Sequence, residues 1–165
     1  MAIEIERKFL VIKDNLPKLT GGQHFVQGYF CGSTPDEPNI RFRIIDDEVI
    51  ITIKKGEKGS IKRYEWEFKQ KLPEEEIGEL KSLAIRKPIE KDRYKIPYAD
   101  LVWELDVYRG ENEGLVTADV ELPSVDYNIS FPDWIKQKSE IGNDPKYFNI
   151  NLGEHPYPEF RDGES

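Results

Sequence analysis

In one stretch after another, ionised side chains recur two positions apart and apolar side chains fill the positions between them. In an extended strand, residues two apart lie on one face, so this alternation assigns side chains to opposite sides of a sheet. Glu4, Glu6 and Lys8 oppose Ile3, Ile5, Phe9 and Val11. Arg41 and Arg43 oppose Ile40, Phe42 and Ile44, Lys54 opposes Ile51 and Ile53, and Arg63, Glu65 and Glu67 oppose Tyr64, Trp66 and Phe68. Lys91, Arg93 and Lys95 stand against Tyr94 and Ile96, Glu104 and Asp106 against Trp103, Leu105 and Val107, and Asp119 and Glu121 against Val120 and Leu122. One such stripe is the ordinary solvated face of an antiparallel sheet. Repeated along the chain it is not ordinary, because solvated faces mix Thr, Ser and Gln with their charges, and these stripes are nearly all Glu, Asp, Arg and Lys.

The alternation predicts strands near 2–12, 24–31, 38–45, 48–55, 61–69, 89–97, 101–109 and 115–123. Turn chemistry separates them at Gly21-Gly22, at Ser33-Thr34-Pro35-Asp36, at Asp46-Asp47, from Gly56 to Gly59 and from Gly110 to Gly114. Connections this short imply antiparallel hairpins. After Pro73, three glutamates followed by the stripe Ile77, Leu80, Leu83 and Ala84 predict an amphipathic helix. A second helix is predicted from a cap at Asn143 or Asp144 through Tyr147, Phe148, Ile150 and Leu152, with a loosely tied coil from Gly153 to Ser165. No linker or repeat divides the chain, so a single domain over 1–165 is the expectation.

If the sheet closes, its two faces become an inside and an outside. The fold class expected is mainly β (α+β), a closed eight-stranded antiparallel barrel with a charged lumen and helices packed outside. The apolar face would be covered by the helices and the tail, and the charged face would line the lumen. Charges confined at that density cannot all pair with one another, and unpaired buried charge costs several kcal/mol or more. Such a lumen makes sense when ligands complete it. Carboxylates suit hard cations such as Mg²⁺ or Mn²⁺, and guanidinium and ammonium groups suit phosphate oxygens. Interleaved acids and bases therefore point to metal-bound polyphosphate.

The net charge of −8 argues against a generic nucleic-acid or membrane-surface binder, so any phosphate site must be local. Cys31 is the only cysteine, which excludes an internal disulfide, and no His/Cys cluster offers zinc ligands. The opening MAIEIERKFL is no signal peptide and no stretch has the length of a membrane span, so a cytoplasmic location is expected. His24 and His155 lie off the charged stripes and are expected at the surface or in structural roles. Trp66 and Trp103 have the parity of the apolar face and are expected in the core.

The opening Glu4-x-Glu6-x-Lys8, followed by Phe9-Leu10-Val11, resembles the ExExK signature of the CYTH, or triphosphate tunnel metalloenzyme, superfamily. The resemblance continues in order through Gln27-Gly28-Tyr29, Arg41-x-Arg43, Thr52-Ile53-Lys54, Arg63-x-Glu65-x-Glu67 and Lys91-x-Arg93-Tyr94. It extends through Trp103-Glu104-Leu105-Asp106, Gly114-Leu115, Ala118 to Leu122 and Tyr147-x-Asn149. That family includes class IV adenylyl cyclases, thiamine triphosphatases and inorganic tripolyphosphatases. The resemblance implies a metal held by Glu4, Glu6, Asp119 and Glu121, with Glu65, Glu67, Glu104 and Asp106 as candidates for a second ion or for orienting the attacking water. It implies a triphosphate gripped by Lys8, Arg41, Arg43, Lys54, Arg63, Lys91 and Arg93. Glu65, Glu67, Lys91 and Tyr29 would stand nearest the chemistry, no one of the acids being singled out as general base. Two departures stand out: Asp119 occupies a position where the family often has Glu, and Ser139 to Gly142 fits the family's pattern only loosely. The function implied is metal-dependent hydrolysis of a linear triphosphate, tripolyphosphate before ATP or another organic triphosphate, with Mg²⁺ or Mn²⁺ as cofactor. The alternatives are an adenylyl cyclase making cyclic AMP and pyrophosphate, or a non-catalytic polyphosphate or nucleotide-binding module. A homodimer is compatible with either enzyme.

Overall fold

The computed structural model describes residues 2–32, 34, 37–56 and 60–161. The strands are β1 (Ala2–Val11), β2 (Gln23–Cys31), β3 (Asn39–Ile45), β4 (Glu48–Gly56), β5 (Lys62–Lys71), β6 (Ile89–Tyr98), β7 (Leu101–Tyr108), β8 (Val116–Glu121) and β9 (Ile135–Glu140). The helices are α1 (Glu74–Ser82) and the short α2 (Asn149–Leu152). The sheet runs in the order β5-β4-β3-β2-β6-β7-β8-β1-β9, and β5 also pairs with β1. That second pairing closes eight antiparallel strands into a barrel, and β9 is an addition outside the closure.

β1 is the seam. One edge lies against β8 from Glu6 to Leu10. The other is divided, with Ala2 to Ile5 on β5 and Phe9 and Val11 on β9. The sequence IKQKSE of β9 has no apolar alternation, which is why the pattern missed it: it is a polar strip held by an edge, not a face. The turns expected at Ser33, Pro35 and Asp36 and at 57–59 lie outside the described residues, as do 162–165 at the end of the expected coil.

The apolar face points outward, but helices cover only part of it. Phe9, Trp103, Leu105, Ala118 and Val120 form one buried cluster. Its cover is the loop after β8, through Ile129, Phe131 and Trp134, with Phe9 and Phe131 ring centroids 5.4 Å apart and Trp103 and Trp134 5.8 Å apart. Each large apolar side chain buried in this way contributes roughly 1.5–3 kcal/mol. α1 covers a second cluster, laying Ile77 and Leu80 on Phe42, Ile44 and Val49. Leu83 does not join that stripe: it is the C-terminal cap of α1, where helical spacing ends, and is 66% exposed. Trp103 is in the core as expected, whereas Trp66 is 41% exposed and joins none of the buried clusters of the described residues.

The C-terminal segment closes one end of the barrel. Leu10 and Tyr108, late positions of β1 and β7 with lumenal parity, pack with Tyr147 and Leu152. Asp144 accepts a hydrogen bond from the Lys146 N–H at the start of this segment, so the predicted cap forms, but the helix is broken into a 3-10 turn (Pro145–Tyr147) and α2. The chain beyond Gly153 is tied down by Tyr157, which is buried and donates its N–H to Asn112 Oδ1 at 2.9 Å. Among the described residues no helix is long and apolar enough to cross a membrane.

Candidate functional site

Ion pairs between strands that are not neighbours establish which face is the lumen. Lys54 on β4 reaches Glu4 on β1 at 2.6 Å, and Arg93 on β6 reaches Asp119 on β8 at 3.5 Å. Each pair skips the intervening strand and so crosses the interior. The charged stripes therefore face inward, but they do not fill the lumen alone. Phe25, Gln27 and Tyr29 share the inward parity of β2, as do Ile50 and Thr52 on β4, Tyr108 on β7 and Thr117 on β8, and all are buried. Both faces of β2 mix apolar and polar residues, so its sequence carried no sign of which faced in.

At the closed end lies an ionic network centred on two fully buried groups, Lys91 and Asp106. Asp106, 0% exposed, accepts from Lys91 Nζ at 2.7 Å and from Arg93 Nε and Nη2 at 2.7 and 2.8 Å. Burial would raise the Asp106 pKa, but the two cations hold it far below the usual carboxylate range. Asp106 is thus an internal counter-ion, with its oxygens already engaged. Lys91 is pushed down to about 7 by burial and by Arg93 and Lys8, against the pull of Asp106. Its ammonium also lies 5.7 Å from the Tyr108 ring centroid, and Tyr108 donates to Asn149 Oδ1 at 2.5 Å, fastening the C-terminal segment to the network. Burial pushes the Tyr108 phenol up, so the hydroxyl stays protonated.

Arg41 and Arg43 project from β3 on the opposite wall. The Nε–H groups of both are buried without a hydrogen-bond acceptor among the described residues. Arg43 is lowered to about 10 by burial and by the neighbouring Arg41 and Arg93, with Glu67, 3.3 Å away, pulling the other way. Phe25 stands between two of these cations, its ring centroid 5.8 Å from the Arg43 guanidinium carbon and 5.4 Å from that of Arg93. The ring's quadrupole attracts both guanidinium groups. Tyr29 accepts a hydrogen bond from Gln27 Nε2 at 2.6 Å. Glu65 lies 3.5 Å from Lys54, and Arg63 pairs in register with Glu4.

Acids dominate the open rim. Glu6 and Glu121 are directly opposed on β1 and β8, and neither has an ion-pair partner among the described residues. Directly opposed like charges destabilise a sheet unless a cation joins them. Burial, then Glu4, Glu6, Glu65 and Glu104, raise the Glu121 pKa. Asp119 is raised to about 6 by burial and by Glu6 and Asp106, despite Lys8 and Arg93, and its buried Oδ1 has no hydrogen-bond partner. Lys8 is the reverse: burial lowers it, but Asp119, Asp106 and Glu6 hold its ammonium well above the usual range. This donor set of hard, under-neutralised oxygens fits a divalent cation. Among the described residues no three acidic, histidine or cysteine side chains converge into a ready-made cation site. A rim cavity of about 500 Å³ opens beside Glu104 and Glu121 and is bordered by Lys95, Leu101, Val102 and Pro123.

A family model described as the CYTH domain matches residues 2–151. An inorganic triphosphatase of Acetivibrio thermocellus is 38% identical over 163 residues, covering 98% of this chain and 100% of that protein. One of Nitrosomonas europaea is 34% identical over 156 residues, covering 90% and 95%. Among solved structures, the crystal structure of an inorganic triphosphatase is similar with a TM-score of 0.62 at 27% identity, covering 90% of this chain and 96% of that one.

Proposed function

The chain belongs to the CYTH domain family, and from that premise we propose that it is a metal-dependent triphosphatase whose preferred substrate is inorganic tripolyphosphate. The observation that carries this reading is the pair of buried arginine Nε–H groups on Arg41 and Arg43 that no protein acceptor meets. Buried donors left open are costly, and phosphate oxygens would satisfy them with charge-assisted bonds. Lys8, Lys54, Arg63, Lys91 and Arg93 complete the cationic lining.

Glu4, Glu6, Asp119 and Glu121 would hold Mg²⁺ or Mn²⁺, with water and substrate supplying the remaining ligands and Glu104 within the same acidic rim. When bound, the ion neutralises charge on the phosphoryl oxygens. The chain's own groups grip and orient. Glu65 and Glu67, paired with Lys54 and Arg43, fix those cations against the substrate. Asp106 keeps Lys91 and Arg93 in place from below. Water attacks the terminal phosphorus, the bridging P–O bond breaks, and orthophosphate and pyrophosphate leave; catalysis is positioning and electrostatics. Tripolyphosphate is favoured over ATP because the aromatic rings of lumenal parity are occupied: Tyr29 and Tyr108 are buried, and Phe25 lies between two guanidinium groups. None offers a free face for a base.

The test is a comparison of kcat/KM for tripolyphosphate and ATP with Mg²⁺ or Mn²⁺, resolving phosphate, pyrophosphate and cyclic AMP. Metal-dependent cleavage of tripolyphosphate, abolished by chelator and favoured over ATP, is the expected result. No turnover of either compound with either ion would overturn the reading, and cyclic AMP formed from ATP at the higher efficiency would replace it with a cyclase.

A further inference from the structure

Phe25 sits among the lumenal cations without carrying a charge of its own. β2 lies between β3 and β6 in the sheet. An arginine from each neighbour reaches over the Phe25 ring, Arg43 from β3 with its guanidinium carbon 5.8 Å from the ring centroid and Arg93 from β6 at 5.4 Å. The ring is only 4% exposed, so both contacts are made away from bulk water, where the attraction between a cation and a ring face is strongest.

The two arginines differ in what else holds them. Arg93 is surrounded by carboxylates, its Nε and Nη2 donating to Asp106 and its Nη1 to Glu104. Among the described residues Arg43 pairs with one carboxylate, Glu67, through Nη2 at 3.3 Å, and its buried Nε–H has no acceptor. The charges of Arg41 and Arg93 oppose its own. A polar side chain at position 25 would steady such a cation by taking one of its donors. A ring face attracts the charge as a whole and takes none.

We propose that Phe25 is a positioning residue for the triphosphatase reaction, its ring holding the Arg43 guanidinium in the lumen with the Nε–H left open to a phosphate oxygen. On this assignment, which rests on the lumen being the triphosphate site, Phe25 touches no substrate and acts through Arg43. Arg93, itself fixed by carboxylates, holds the ring in turn.

Replacing Phe25 with phenylalanines of increasing ring fluorination tests this, because fluorine drains the ring face of its attraction for cations while ring shape and apolar character are kept. The expected result is a stepwise fall in kcat/KM for tripolyphosphate with Mg²⁺, reaching roughly 10-fold for the fully fluorinated ring, with far-UV circular dichroism retained. The loss should appear in KM, since the grip of Arg43 is made on the bound substrate as well as in the reaction. Phe25→Leu, apolar but without a ring face, should lose at least as much as the fully fluorinated ring. Phe25→Gln, which offers the open donor a competing acceptor, should lose more still. If the unaltered protein cleaves tripolyphosphate and kcat/KM is indifferent to fluorination, or falls through kcat alone, the role of Phe25 is overturned and the reading of the site stands. No cleavage by the unaltered protein overturns both.

Discussion

Asp119 and Lys91 belong to one buried network and titrate in opposite senses. Asp119 in the folded chain sits at about 6, above the ordinary carboxylate value of about 3.9. Between those values the folded state binds more protons than the unfolded one, so stability falls as pH rises from about 4 through 6. Glu121, also raised, acts in the same direction. Lys91, lowered to about 7, reverses the balance: from there to about pH 10 the unfolded chain binds the extra proton, and stability rises with pH. Asp106 and Asp92, both depressed, act below pH 4, outside this window. The ligand-free protein should therefore show a minimum in Tm between about pH 6 and 7, with Asp119 contributing on the order of 1–3 kcal/mol to the acid side. A thermal melt series at fixed ionic strength checks this, and Asp119→Asn should flatten the acid limb. A steady climb in Tm from pH 4.5 to 7 would count against it. Parity alone located these groups on one face in the sequence. Their opposite shifts were not legible there, because each depends on which neighbours the closed barrel brings across the lumen.

Among the elements, β2 shows how far an alternation can be read. Its range was clear in the sequence, but both of its faces are mixed, so the resemblance alone pointed to Tyr29, and Phe25 and Gln27 were placed in the lumen only by the pairing of β2 with β3 and β6. The outward face holds Gly28, where an added Cβ would lie 2.3 Å from the Phe42 ring. Phe42 is wholly buried under α1, so it cannot retreat. Gly28→Ala should cost on the order of 1–3 kcal/mol, read as a lower urea midpoint at unchanged slope, and an unaltered midpoint would show that the sheet yields there. The helix at α1 was legible from its glutamate-rich start and apolar spacing, except at Leu83, where the helix ends. β9 was not legible because a strand recruited to an edge needs no amphipathic pattern. The loop that covers Trp103 has no period at all, and only its placement in three dimensions reveals Ile129, Phe131 and Trp134 as core.

At the scale of the whole molecule, a barrel lined with incompletely neutralised charge should gain stability when its complement arrives. Mg²⁺ and tripolyphosphate together should raise Tm by more than the sum of either alone, since ligands that bind only the folded barrel stabilise it and each screens charge that opposes the other. An unchanged melt at saturating concentrations of both would show that the folded barrel does not bind them, and would rule the lumen out as the site. The fastening of Tyr108 to Asn149, with Tyr147 and Leu152 packed beside it, sets a further condition on anything held inside. With one end stoppered, a triphosphate bound in the lumen would have to enter and leave by the same rim. On that reading a cleaved fragment nearest the stopper would leave after the one nearer the rim, the reverse of the order in which the two ends of the substrate went in.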